Sequence, residues 1–200
     1  MATLGFESAK VGIHDAEGKV TKVLSFDAKK GGAIDAKISG LAAEAVKVNA
    51  SNIPFYVSQK GTGDIKLDLT LFDVTDEEMA DLTGSKFDKG VLSIGKDTEA
   101  PYVTVLLQTA GIKKDDIYIA LTKGKLAYDG DELKTNEEKG NEPGSVAFSG
   151  EFIADGNTGN SYLKTRSTNE GFTEEEWLKL VFPGYTAPAG KMIIPDKDKK

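Results

Sequence analysis

Cysteine is absent from the 200 residues, which removes disulfides, thiolate nucleophiles and cysteine-based zinc sites together. A secreted disulfide scaffold is thereby excluded, and synthesis in a reducing cytoplasm is expected. Histidine occurs once, at His14, directly after Ile13 at an expected strand end, where a plain surface histidine is the reading. A Ser-His-Asp site could run only through His14, and no Gly-x-Ser-x-Gly elbow marks a nucleophile. A zinc site would need carboxylates for most of its ligands, an uncommon donor set. Arginine also occurs once, at Arg166, within 25 basic residues facing 32 acidic ones, for a net charge of −7. Nucleic-acid readers use clustered positive charge and the guanidinium fork, so lasting DNA binding is not expected. No apolar run approaches the roughly 20 residues of a membrane helix, and Met1-Ala-Thr-Leu-Gly-Phe-Glu7 lacks a basic start followed by an apolar stretch. A soluble protein with no membrane partner is expected.

What is present suits a folded chain. At 39% hydrophobic and 28% charged residues the composition is that of an ordinary globular protein. A chain of this length buries roughly 70% of its extended surface without needing a metal or a disulfide. The 22 glycines favour many turns and short strands. Alternation of apolar and polar residues dominates, and period two means a strand with one buried face. The clearest case is Ile65-Lys-Leu-Asp-Leu-Thr-Leu71. Further strands are expected at 102–108 and 117–122, and where Val146, Phe148 and Phe152 alternate across Gly150, a place for a bulge or a close backbone approach. Ala9, Val11 and Ile13 alternate, Asp15-Ala-Glu-Gly18 turns, and Val20 to Phe26 completes a hairpin. Ile34, Ala36 and Ile38, then Val46 and Val48, suggest two more short strands.

Two helices are announced by capping boxes. Thr75 precedes Glu78 by three, with Met79 and Leu82 as the apolar set and Gly84 as the stop. Thr173 precedes Glu176 by three, with Trp177, Leu178, Leu180 and Val181 following and Pro183-Gly184 as the stop. Glu174, Glu175 and Glu176 sit where the helix dipole favours negative charge, so they read as helix chemistry and not as a metal site. Residues 129–144 carry six acids and two lysines and read as an exposed loop; residues 155–161 read as a polar turn. The expected organisation is one β-rich domain over residues 1–182 and a flexible C-terminal arm over 183–200. No repeat of 20–50 residues is present.

The acid clusters and glycine pairs fail their motifs. Asp129-Gly-Asp131 begins like a calcium loop, but Lys134 stands at the glycine position and Gly140 at the bidentate glutamate. Asp155-Gly-Asn157 fails likewise, with Asn160 and Arg166 in those places. Gly61-Thr-Gly63 lacks its third glycine, where Lys66 stands, and Lys123-Gly-Lys125 lacks the upstream glycine of a phosphate loop, where Ile119 stands. Asn49-Ala-Ser51 matches a glycosylation sequon without any sign of secretion. A two-carboxylate glycosidase has no positive support. No catalytic residue, metal or cofactor is expected.

Ile53-Pro-Phe-Tyr-Val57 is apolar and aromatic between polar flanks. It reads either as a core strand with a proline at its start or as a surface docking on another subunit, the second because aromatic patches on loops mark interfaces. Pro54, Phe55, Tyr56 and Val57 are the candidate interface residues. The stretch Val46-Lys-Val-Asn-Ala-Ser-Asn-Ile-Pro-Phe-Tyr-Val57 resembles the segment in major tail proteins (tail-tube proteins) of long-tailed bacteriophages where a strand runs into an alanine-aspartate-asparagine corner. Ser51 stands in the aspartate's place and Asn52 in the asparagine's. The order that follows is similar too: the aliphatic strand at 65–71, the acidic helix at 75–82, Leu82-Thr-Gly-x-Lys-x-Asp-x-Gly90, and the strands at 101–108 and 117–126. The likeness covers residues 5–170 and leaves the C-terminal helix and arm aside.

The resemblance implies a mainly β fold, a β-sandwich or barrel-like tail-tube fold with one flanking α-helix and a short C-terminal helix. It implies a structural homo-oligomer of the virion tail, assembled in the host cytoplasm as stacked, hexameric rings that conduct DNA during ejection. Tape-measure, tail-terminator and distal tail proteins are the partners it implies. DNA would pass without specific binding, repelled by an acidic, arginine-poor lumen; Lys66, Asp68 and Thr70 are the candidate lumen face. Met192, Ile193 and Ile194 form an apolar island in the charged arm and are expected to dock on a neighbouring subunit. The competing expectation is a β-sandwich module of the virion that binds carbohydrate or a receptor.

Overall fold

The computed structural model describes residues 3–50, 52–113, 115–131, 133, 135 and 144–185. The chain runs β1 (Thr3–His14), β2 (Val20–Asp27), β3 (Ala33–Ser39), β4 (Val46–Ala50), β5 (Ile53–Ser58), β6 (Ile65–Leu71), α1 (Asp76–Thr83), β7 (Lys86–Asp88), β8 (Val91–Ser93), β9 (Val103–Gly111), β10 (Asp116–Tyr128), β11 (Val146–Ile153), β12 (Tyr162–Arg166) and α2 (Glu174–Val181). The fold is mainly β, as the period-two pattern predicts. One large antiparallel sheet has the order β2-β1-β9-β10-β11-β6-β3, with β12 beside β10; β4-β5 and β7-β8 are separate two-stranded hairpins.

The long strand β10 divides the sheet into two halves. Its residues 117–121 lie between β9 and β12, whereas residues 123–128 pair with β11. The sheet folds over so that its apolar faces meet. Val11, Phe26, Leu67, Leu69, Val105, Leu121 and Phe148 fill one core, each at most 4% exposed or less. In β6 the pattern is strict: Ile65, Leu67, Leu69 and Leu71 are buried while Lys66 and Asp68 are exposed. Gly150 carries no bulge, because its pairing with Leu126 and Leu67 is in unbroken register. It marks a close approach instead: a Cβ there would lie 2.8 Å from Leu126 Cδ2 and 2.9 Å from Phe152 Cε2.

Both helices start where their caps predict. In α1 the Thr75 hydroxyl accepts from the Glu78 amide at 3.3 Å, the Thr75 amide donates to Glu78 Oε2 at 3.2 Å, and Gly84 closes the end with φ 70°. Met79 and Leu82 then enter the core. In α2 the Thr173 hydroxyl donates to Glu176 Oε2 at 2.9 Å, but its side chain caps no backbone amide, and the helix stops at Phe182. α2 covers the outer face of the β1-β9-β10 half, where Trp177, Leu178, Val181 and Phe182 meet Val20, Leu106, Tyr118 and Ala120. This second, smaller core comes from β9 burying both faces, a run of buried residues from Val103 to Gln108.

Candidate subunit interface

The segment 53–57 is a strand, but it belongs to no core. Among the described residues β5 pairs only with β4, in the register Val46↔Ser58, Lys47↔Val57 and Val48↔Tyr56, and an irregularity follows at Asn49. Asn52 closes the turn in the left-handed region at φ 65°, a conformation that asparagine tolerates better than most residues. Alternation puts Val46, Val48 and Tyr56 on one face and Ile53, Phe55 and Val57 on the other. All six are exposed, Phe55 at 78% and Val57 at 57%. An isolated two-stranded hairpin is marginal in water, and this one offers apolar side chains on both faces. Exposed apolar patches of this kind commonly mark docking surfaces. Pro54 lies within β5.

A second hairpin went unread in the sequence. β7-β8 leaves Val91 60% and Phe87 36% exposed, with Ile94 just beyond at 62%. Its strands are three residues long, too short for periodicity to register; the clustering of Phe87, Val91 and Ile94 around Lys89-Gly90 was the available signal.

Lys66, Asp68 and Thr70 share the outward face of β6. Their neighbours in register are Lys37 and Asp35 on β3, Ser149 and Glu151 on β11, and, beyond Glu151, Lys125 on β10. Lys66 reaches Glu151 at 3.5 Å, and Lys125 reaches Glu99 at 3.0 Å. Tyr102 lies under both Lys123, 4.6 Å from the ring centroid, and Lys125, at 5.0 Å. The face is a charge-balanced checkerboard. Lys37, Lys66 and Lys125 stand against Asp35, Asp68 and Glu151, so the acidity of the whole chain is not concentrated here.

His14 is not a plain surface residue; it is half-buried. Thr104 Oγ1 donates its one proton to the Thr122 carbonyl at 2.6 Å, so it accepts from His14 Nε2–H at 2.7 Å. Thr122 in turn donates to the Asn160 carbonyl at 2.6 Å. This chain of hydrogen bonds pins the 154–161 loop to β10. Burial pushes the His14 pKa below 6.5; Lys123 adds to that, against opposing effects from a backbone hydrogen bond at Gly18 and from Asp155 and Asp15. The Thr104 hydroxyl it meets is buried and spends its proton on the Thr122 carbonyl, so the ring serves architecture.

The lone arginine has a similar role. Arg166 Nη1 donates to Asp115 Oδ2 at 2.6 Å, and the Asp115 side chain is 2% exposed. The pair ties β12 to the entry of β10. Tyr128 donates to Asp131 at the edge of the acidic loop, most of which lies outside the described residues. Met192, Ile193 and Ile194 lie outside them as well. Among the described residues no three His, Asp or Glu side chains gather as a metal site, and no helix is long and apolar enough to cross a membrane.

The family model described as phage tail tube protein matches residues 1–190. The match extends past α2, beyond the range over which the sequence pattern alone resembles tail proteins. No curated protein matches the chain.

Proposed function

This chain belongs to the phage tail tube protein family, whose members are structural and not enzymatic, and we propose that its copies close into stacked, hexameric rings forming the conduit for DNA during ejection. The observation that carries this reading is the β4-β5 hairpin, apolar on both faces and, among the described residues, joined to no other sheet. Its burial against a neighbouring subunit gives Phe55, Tyr56 and Val57 the apolar surroundings they lack alone. In this reading Pro54 shapes the same strand at the interface. Residues 1–182 act as the tube-forming domain and 183–200 as an arm whose Met192, Ile193 and Ile194 grip a neighbour.

Sheet topology supports a ring. Successive antiparallel pairings run β10-β11-β6-β3, so β3 and β10 point in opposite directions. Among the described residues, the outer edge of β3 and the 125–128 edge of β10 pair with nothing further. Joining β3 of one copy to β10 of the next continues the antiparallel alternation, and repeating that heterologous contact closes a barrel without free edges. The Lys66-Asp68-Thr70 face then lines the lumen. Mixed charge there offers phosphates no continuous positive track on which to stall. Tape-measure protein within the tube, and tail-terminator and distal tail proteins at its ends, are the partners of such an assembly.

Negative-stain microscopy of the purified protein tests this reading. Rings or tubes are expected, and a Phe55→Ser, Tyr56→Ser double variant should lose them while its melting temperature stays within a few degrees of the parent. A chain that remains monomeric under all assembly conditions would overturn the proposal.

A further inference from the structure

The outer surface holds one buried donor with nothing to bind. Trp177 Nε1–H is fully buried and has no hydrogen-bond partner among the described residues. Trp177 lines an open groove of about 340 Å³ between α2 and β12. Phe172 forms one wall, held by stacking on Tyr118 at a centroid distance of 5.5 Å. Leu180 forms the other, 49% exposed. Glu170, Glu176 and Lys164 stand at the rim. Trp177, Phe172 and the exposed Leu180 give the groove an apolar floor and walls with carboxylates at the rim, a lining that fits an extended peptide bearing apolar side chains and basic flanks.

We propose that this groove receives the segment Met192-Ile-Ile-Pro195 of a second copy of the chain, an inference that rests on the reading that copies assemble. Three observations select that occupant. The segment 186–200 reaches about 50 Å when extended, ample for a neighbouring subunit. It carries Lys191, Lys197, Lys199 and Lys200 against Asp196 and Asp198, a basic excess that complements Glu170 and Glu176. Ile194 precedes Pro195 and is biased toward extended backbone, and Pro195 adds no competing N–H.

The chain's own exit argues for a second copy. Pro183 O accepts from the Val20 amide at 2.9 Å, and Gly184 and Tyr185 lie beside Lys19 to Val23. The chain therefore leaves α2 on the β2 side of the sheet, whereas the groove opens on the β12 side. Reaching its own groove would require the segment to cross over α2.

Trp177 is the only tryptophan, so its indole N–H gives a single resonance in a ¹⁵N-labelled full-length chain. The probe is a synthetic peptide of residues 186–200, titrated into the full chain carrying Met192→Asp, Ile193→Asp and Ile194→Asp. A saturable shift of the indole resonance is expected as the groove around Trp177 fills, at least tenfold weaker in affinity when Leu180→Glu is added. An unmoved indole, or equal binding with Leu180→Glu, would overturn the proposal. So would a parent chain whose indole is already shifted relative to the triple variant at every concentration, because that assigns the groove to its own arm. Rings seen by microscopy with an unmoved indole would sink the groove and leave the tube reading intact. Peptide binding by a chain that never forms rings would sink the tube reading alone.

Discussion

Single residues hold this subunit together through three different kinds of close contact. Gly12 on β1 accepts the ring of Phe182: a Cβ there would lie 2.6 Å from Phe182 Cδ1 and 3.0 Å from Val20 Cγ1. Gly12→Val should therefore destabilise by about 1–3 kcal/mol, the range for overpacking, and loosen the seat of α2, seen as a lower melting temperature with stronger acrylamide quenching of Trp177. Arg166→Leu leaves the buried Asp115 carboxylate without its cation. Breaking a fully buried pair costs roughly 3–5 kcal/mol, and because Arg166 is itself about one-third exposed, about 2–3 kcal/mol is expected in denaturant unfolding. His14 sets a pH dependence. Its folded-state pKa lies below 6.5, so the unfolded chain binds the extra proton first as pH falls. Stability from this group is complete above about pH 6.5 and declines as pH drops from there through the folded-state pKa. A His14→Gln variant should show a flatter melting profile between about pH 7.5 and pH 5.5, and an unchanged slope would refute the account.

At the scale of elements, local chemistry set the boundaries and non-local contacts set the roles. α1 begins at Asp76 because Thr75 and Glu78 satisfy each other's backbone amides. Glu78 is drawn two ways. Burial raises its pKa, but hydrogen bonds from Lys30 and Thr75 and the Lys30 charge together bring it below 4.5. Its contribution is present above about pH 4.5 and is lost as pH falls through the lower folded value. Thr75→Ala should cost about 1 kcal/mol in thermal or urea unfolding, with no effect on the β4-β5 hairpin. The hairpin itself illustrates a limit of sequence reading. Val46, Val48, Phe55 and Val57 have the pattern of strand residues, and strands they are. Alternation carries no information on whether the apolar face meets its own chain or another; the exposure of Phe55, Tyr56 and Val57 shows only that it does not meet the core of this one. The second helix shows the converse. Its Thr173-Glu176 pair looked like a full capping box, yet only the side chains meet, because Thr173 Oγ1 turns its proton toward Glu176 and bonds no amide.

At the scale of the whole molecule, the sheet presents a charged face on β3-β6-β11-β10 and a helix-covered face on β1-β9-β10. If the charged face lines the tube, Asp68→Lys tips its balance toward positive without touching either core. Virions carrying that change should assemble normal-looking tails yet eject DNA more slowly, the delay shrinking as salt is raised. Equal ejection rates would place the lumen on another face.

The amino-acid order by itself determined that the chain is mainly β, where the β1-β2 hairpin turns, that β6 buries Ile65, Leu67, Leu69 and Leu71, and where both helices begin. Those features follow from side-chain period and cap chemistry within a few residues, and short-range rules suffice for them. Only the tertiary structure decided that β10 shares its length between β11 and β12, that His14 meets Thr104 ninety positions away, that Asp115 is sealed by Arg166, and that the β4-β5 hairpin stands clear of the core. Each of these depends on which distant strands become neighbours, a choice made by burial over the entire sheet and invisible to any local window.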